Sequence, residues 1–134
     1  MKVVVDTNVL ISGIFFDGPP ARILEAWLHG QLVFVVSHEI LEEYFEVCER
    51  LSLRYPNIEI TQILILIVQN CHIVDPLPLP EPASHDADDD MFIACALASA
   101  TQTIISGDSD LLTISGYENV QIITPREFVN RHLG

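Results

Sequence analysis

Short apolar runs alternate with longer amphipathic stretches along this chain, and each change of period marks an element. Residues 2–5 (Lys-Val-Val-Val) and 32–36 (Leu-Val-Phe-Val-Val) are β-branched runs that suit strands buried on both faces. Residues 72–75, 103–105 and 120–123 read as three further strands. Helical patterns lie between them. Residues 8–16 predict a short helix or turn, and Asp17-Gly18-Pro19-Pro20 then breaks the chain. Pro20 can open a helix over 21–29, which Gly30 ends. Ser37 is placed to cap a helix over 38–51, where Ile40, Leu41, Tyr44, Phe45, Cys48 and Leu51 follow the 3.6-residue period. Residues 60–71 predict a buried helix, although Ile63 to Val68 alone would also suit a strand. Four prolines in residues 76–82 exclude regular structure and predict an extended surface loop. Residues 89–100 form an Ala-rich helical stretch, and residues 108–112 a short helical turn. Thr124-Pro125-Arg126-Glu127 combines an N-cap, a first-turn proline and a capping-box Glu, opening a terminal helix through His132. The alternation predicts an α/β fold, a mainly parallel central sheet covered by helices on both faces. With no repeat and no linker, residues 1–134 read as a single domain.

Composition narrows the class. At 49% apolar residues the chain can bury a core, while apolar runs such as Ile63 to Val68 fall far short of the roughly 18 residues of a membrane span. The N-terminus carries one Lys and meets an acid at Asp6, unlike a signal peptide, so a cytoplasmic location is expected. Cys48, Cys71 and Cys95 share no C-x-x-C spacing and predict reduced core thiols; the five scattered histidines give no zinc-type pairing. A net charge of −13 opposes binding of nucleic-acid phosphates. Nine of the 19 acids, however, fall in two blocks, Glu39-Glu42-Glu43-Glu46-Glu49 and Asp86-Asp88-Asp89-Asp90. Divalent ions held there would reverse the local sign, and the overall charge also suits a basic protein partner.

Candidate chemistry lies at the ends of the strands. Asp6 follows the strand at 2–5, and Asp108 follows the one at 103–105, so both would face the crevice where open α/β sheets bind ligands. Thr7 and Asn8 are placed to hold the Asp6 carboxylate. Gly107 would permit a tight turn, after which Asp108 can cap the next turn. On the acidic helix, Glu39 and Glu46 lie opposite the apolar stripe as a solvated face. Glu42 and Glu43 flank it at opposite rims, and helical phase leaves the choice between them open. Asp90 precedes Ile93, Ala94 and Leu97 at i+3, i+4 and i+7, which predicts that it points inward at the head of a buried stripe. Carboxylates that converge repel one another, and such a cluster usually serves to hold a hard cation. Other strand-end aspartate enzymes fit poorly. Dehalogenase-type phosphatases need a second Asp where Asn8 stands, and both these and receiver domains need a late Lys, whereas Lys2 is the only lysine. No phosphate-binding glycine loop or nucleophilic triad motif is present.

Val4-Val5-Asp6-Thr7-Asn8-Val9-Leu10, Ser37 with Glu42-Glu43, Asp86 to Phe92, and Ser106-Gly107-Asp108-Ser109-Asp110-Leu111-Leu112 together resemble the PIN-domain nucleases, most of all the branch of VapC-type toxins. The resemblance covers essentially the whole chain. It implies a three-layer α/β/α Rossmann-like fold and an endoribonuclease that cleaves single-stranded RNA with Mg²⁺ or Mn²⁺. It assigns the catalytic and metal-holding acids to Asp6, Glu43, Asp90 and Asp108, with Asp89 as the near competitor of Asp90 and Asp110 as companion of Asp108. Thr7, Asn8, Ser37 and Ser106 would support them. It further implies a homodimer and a toxin role with a basic antitoxin as partner. Two departures stand out: Ser106 replaces the usual Thr, and His85 stands where a basic residue often precedes the Asp block. The competing readings are a non-catalytic or antitoxin-silenced binding module, and another Mg-dependent phosphohydrolase.

Overall fold

The structure, a computed structural model, describes residues 1–134. Five strands form one all-parallel sheet: β1 Lys2–Val5, β2 Val33–Val36, β3 His72–Ile73, β4 Thr103–Ile105 and β5 Gln121–Ile123, in the order β3-β2-β1-β4-β5. The register pairs Lys2 with Val33, Val4 with Ile104, and Ile104 with Ile122. Consecutive residues Val3, Val4 and Val5 are all buried, as are Val35 and Val36, and Ile104 and Ile105. Because neighbouring strand residues point to opposite faces, this burial requires cover on both sides, and the architecture is the expected three-layer α/β/α fold.

The connecting helices are α1 Thr7–Phe15, α2 Pro19–Leu28, α3 His38–Arg54, α4 Ile60–Asn70, α5 Asp90–Ala98, α6 Ser109–Thr113 and α7 Pro125–Phe128. Helix α1 packs on α2 and α3, while α5 lies against β1, β2 and β4 beside α3. Gly13 makes the α1–α2 contact possible, since a Cβ there would come within 2.7 Å of the Pro20 carbonyl oxygen. Ser37 caps α3 by accepting from the Ile40 amide at 3.2 Å, and Thr124 caps α7 by accepting from Glu127. The terminal helix continues over Val129–Leu133 with wider π-type winding.

Three expectations change. Helix α4 forms, but only Ile60 and Ile67 are buried and Ile65, Leu66 and Val68 stand partly in solvent, so it covers the core edge without entering it. Gly107 keeps an ordinary negative φ with open space around its Cβ direction, so its turn does not depend on glycine. Of the cysteines, Cys48 and Cys95 are buried while Cys71 is only half-buried; none is paired. No helix is long and apolar enough to cross a membrane.

Candidate carboxylate site

The chain leaves β1 toward β2 on one side and later returns to β4 on the other, so the strand order reverses between β1 and β4. Asp6 ends β1 and Asp108 follows β4 across that same gap, with the Asp6 amide bonded to the Ile105 carbonyl at 3.0 Å. The topology alone therefore brings together two acids a hundred residues apart.

Ser106 joins them. Its hydroxyl donates to Asp6 Oδ2 at 2.7 Å and accepts from the Asp108 amide at 3.0 Å. Asp6 is 5% exposed, and burial pushes its carboxyl above the ordinary range. The Ser106 hydroxyl and the Asn8 backbone amide oppose that rise, while Asp108 and Glu43 add to it by repulsion. Asn8 thus acts through its amide, and its side chain stays exposed. Thr7 does not hold Asp6; its hydroxyl donates to Glu43 Oε2. That bond selects Glu43, half-buried on α3, over Glu42, which is exposed. Next to Glu43, the fully buried Tyr44 donates its hydroxyl to the Val5 carbonyl. Two clasps therefore tie α3 to the end of β1 on either side of Asp6. Tyr44 escaped the sequence reading because its ring fits the apolar stripe and nothing local reveals where its hydroxyl goes.

The structure places the two candidates for the third acid, Asp90 and Asp89, in different surroundings. Asp90 is half-buried and lines a cavity with Glu43, and its carboxylate accepts from the Ser84 amide at 2.8 Å and the Ala83 amide at 3.3 Å. Asp89 is the buried neighbour of Asp108, and carboxylate oxygens of Asp89, Asp108 and Asp110 lie within 4.8 Å of one another. The physical reason is the burial pattern of α5. The residues following Asp89 at i+3, i+4 and i+7, Phe92, Ile93 and Ala96, are all buried, whereas those following Asp90 include the half-buried Ala94 and the 38%-exposed Leu97. Ala96, not the larger Leu97, faces the sheet. A 3₁₀ turn over Ala87–Asp89 leads into the helix.

Asp89 is the most perturbed carboxylate of the site. Its Oδ2 is buried without a hydrogen-bond partner. Burial, a hydrogen bond to Asp108 available only to its protonated form, and repulsion from Asp108, Asp86 and Asp6 push its carboxyl up to about 8. No Lys or Arg offsets this charge, for the sole ion pair of the structure, Arg131–Glu127, lies on the terminal helix. Asp108 accepts from the Asp110 amide at 3.1 Å, which caps α6 and holds Asp110 at the rim. An orphaned buried oxygen among hard carboxylate donors fits a hard divalent cation; nitrogen and sulfur donors are absent from this group.

Two openings flank the cluster. A cavity of about 630 Å³ beside it is lined by Ser37, Glu42, Glu43, Glu46 and Asp90 under the proline-rich segment 76–82. Glu46 and Glu39, expected on a plain solvated face, both line it. Ser37 therefore contributes a helix cap and cavity wall, outside the aspartate group. A smaller cleft of about 300 Å³ exposes Asn8, Gly107 and Asp108.

The family model for the PIN domain matches residues 2–110, a span that includes every acid of the site. No curated protein matches.

Proposed function

Because the chain belongs to the PIN-domain family, whose members are generally nucleases, we propose that it is a Mg²⁺- or Mn²⁺-dependent endoribonuclease acting on single-stranded RNA. The observation that carries this reading is the orphaned, buried oxygen of Asp89 beside Asp108 and Asp110. A carboxylate in that setting is stable in one of two states, protonated or bound to a cation. Asp6, Asp89 and Asp108 hold the cation in this proposal, with Asp110 and Glu43 at its edge. Such an ion, when bound, supplies Lewis acidity at phosphorus and neutralises charge on the oxygens there.

The chain's own groups prepare the site. Ser106 orients Asp6 and the Asp108 backbone together. Thr7 holds Glu43 at the mouth of the larger cavity, where its carboxylate is placed to accept a proton from an incoming nucleophile. The strand-end acids repel phosphate until a cation occupies them, so substrate binding follows metal binding. Asp90 serves the loop instead, fixing the backbone at residues 83–84. The narrower role, toxin of a toxin–antitoxin pair, rests on the sequence resemblance to VapC-type proteins.

The test is cleavage of a mixed, end-labelled single-stranded RNA pool with Mg²⁺, Mn²⁺ or EDTA, alongside a generic phosphoester. Wild type should cut RNA only with a divalent ion, and Asp6→Asn and Asp89→Asn should not cut. Full Mg²⁺-dependent cleavage by Asp6→Asn would overturn the assignment. Turnover of the phosphoester without RNA cleavage would favour a different phosphohydrolase.

A further inference from the structure

The carboxylate site opens in two directions, and the two openings share no lining residue. The larger cavity is walled by Glu39, Glu42, Glu43, Glu46, Glu81 and Asp88, with no Lys or Arg among its lining residues. A phosphodiester strand laid there would meet one carboxylate after another. Water would not be repelled. The smaller cleft, about 300 Å³, differs in kind. Asp108 is its only acid, and Asn8, Ser12, Pro20, Gly107 and Pro125 form most of its wall. Charge therefore directs an RNA strand to the cleft and leaves the larger cavity to water.

The cleft also suits a base. Pro20 and Pro125 are half-buried, uncharged rings against which a flat heterocycle can pack. The backbone amide of Asn8 serves Asp6, while its side chain is exposed and offers an unstacked base both a donor and an acceptor. Gly107 adds no side chain, and the space around its Cβ direction is open. Beyond Pro125, Arg126 is exposed and stands outside the sole ion pair, Arg131–Glu127. Arg22, Arg126 and Arg131 lie on α2 and the terminal helix, whose first turns supply the two prolines and which pack together. We propose that this cleft is the subsite for one nucleotide beside the scissile phosphate: its base packs on Pro20 and Pro125 and bonds to Asn8, and Arg126 meets the adjoining phosphate. This inference rests on the ribonuclease reading and adds to it the side on which the strand lies.

The test uses the full chain with Mn²⁺ and a mixed single-stranded RNA pool. Irradiated with thiouridine-substituted RNA, wild type should form adducts within residues 8–20 or 107–126, mapped by mass spectrometry. Adducts confined to residues 39–46 and 76–82 overturn the proposal. In sequenced cleavage products, wild type should prefer one base at a nucleotide beside the cut, and Asn8→Ala should level that preference. Ser12→Trp, which fills the cleft, should raise KM for RNA by about tenfold, with unchanged circular dichroism and Mn²⁺-induced thermal shift. Arg126→Ala should lower the slope of log KM against log salt by about 0.7. Arg54→Ala, an exposed change on the far end of α3, should leave that slope as in wild type. A wild type without base preference, or folded Ser12→Trp and Arg126→Ala proteins that cut as wild type does, refutes the subsite alone. A wild type that cuts no RNA refutes the ribonuclease reading and the subsite with it.

Discussion

Replacing Asp89 by Asn tests the carboxylate site through stability as well as catalysis. In the metal-free protein the Asp89 carboxyl titrates near 8, against 3.8 for the unfolded chain. A raised carboxyl pKa means that the folded state keeps a proton the unfolded state has released. The native protein is therefore penalised as pH rises above about 4, and the penalty is complete above about 8. An unscreened displacement of this size corresponds to about 6 kcal/mol. Water at the mouth of the site screens part of it, leaving about 1–3 kcal/mol in stability. Asn reproduces the protonated form, because its amide can donate to Asp108 at every pH. In EDTA at pH 8.5, Asp89→Asn should therefore melt above wild type by about 4–10 °C for a chain of this length, and at pH 4 the two should nearly coincide. Mn²⁺ should raise the wild-type melting temperature by mass action and the variant's much less, and RNA cleavage should be lost. Differential scanning fluorimetry across pH 4–9, with and without Mn²⁺, reads all three comparisons. An Asp89→Asn protein less stable than wild type at pH 8.5 without metal, or stabilised equally at both pH values, would refute the reasoning.

Asp90→Ala should behave differently: losing the carboxylate that accepts from Ala83 and Ser84 costs about 1.5–3 kcal/mol locally. Limited proteolysis should then cut residues 76–85 faster while the Mn²⁺-induced thermal shift persists. Tyr44→Phe removes the hydroxyl that donates to the Val5 carbonyl. It should cost about 1–2 kcal/mol in chemical denaturation and weaken the Mn²⁺ response, because the spacing between Asp6 and Glu43 loosens. Gly13→Ala, which sets a methyl against the Pro20 carbonyl, should destabilise by about 1–3 kcal/mol, with the Mn²⁺ shift of the folded protein unchanged.

Much of the fold was legible because its signals are local. β-branched runs at 2–5, 32–36 and 103–105 can bury side chains on both faces only in a covered parallel sheet, and Ser37 and Thr124 announce helix starts by chemistry that acts within one turn. Asp6 and Asp108 were equally legible, since a residue just past a buried strand has one crevice to face once the strand order reverses between β1 and β4. Helix faces were less so. Phase reasoning needs to know which apolar residues meet the sheet, and the size of Leu97 misdirected it when the smaller Ala96 was the buried one. That single choice decides which of Asp89 and Asp90 lies beside Asp108.

By itself, then, the sequence determined the order of strands and helices along the chain, the acids at the two strand ends and the large excess of acidic over basic residues. Tertiary packing decided the rest. It joined Asp6 to Asp108 through Ser106, selected Glu43 through Thr7, and turned Asp89 inward. It also left the apolar face of α4 outside the core. Each of these depends on which residue from a distant element occupies the neighbouring space, and periodicity along one element carries no record of that neighbour.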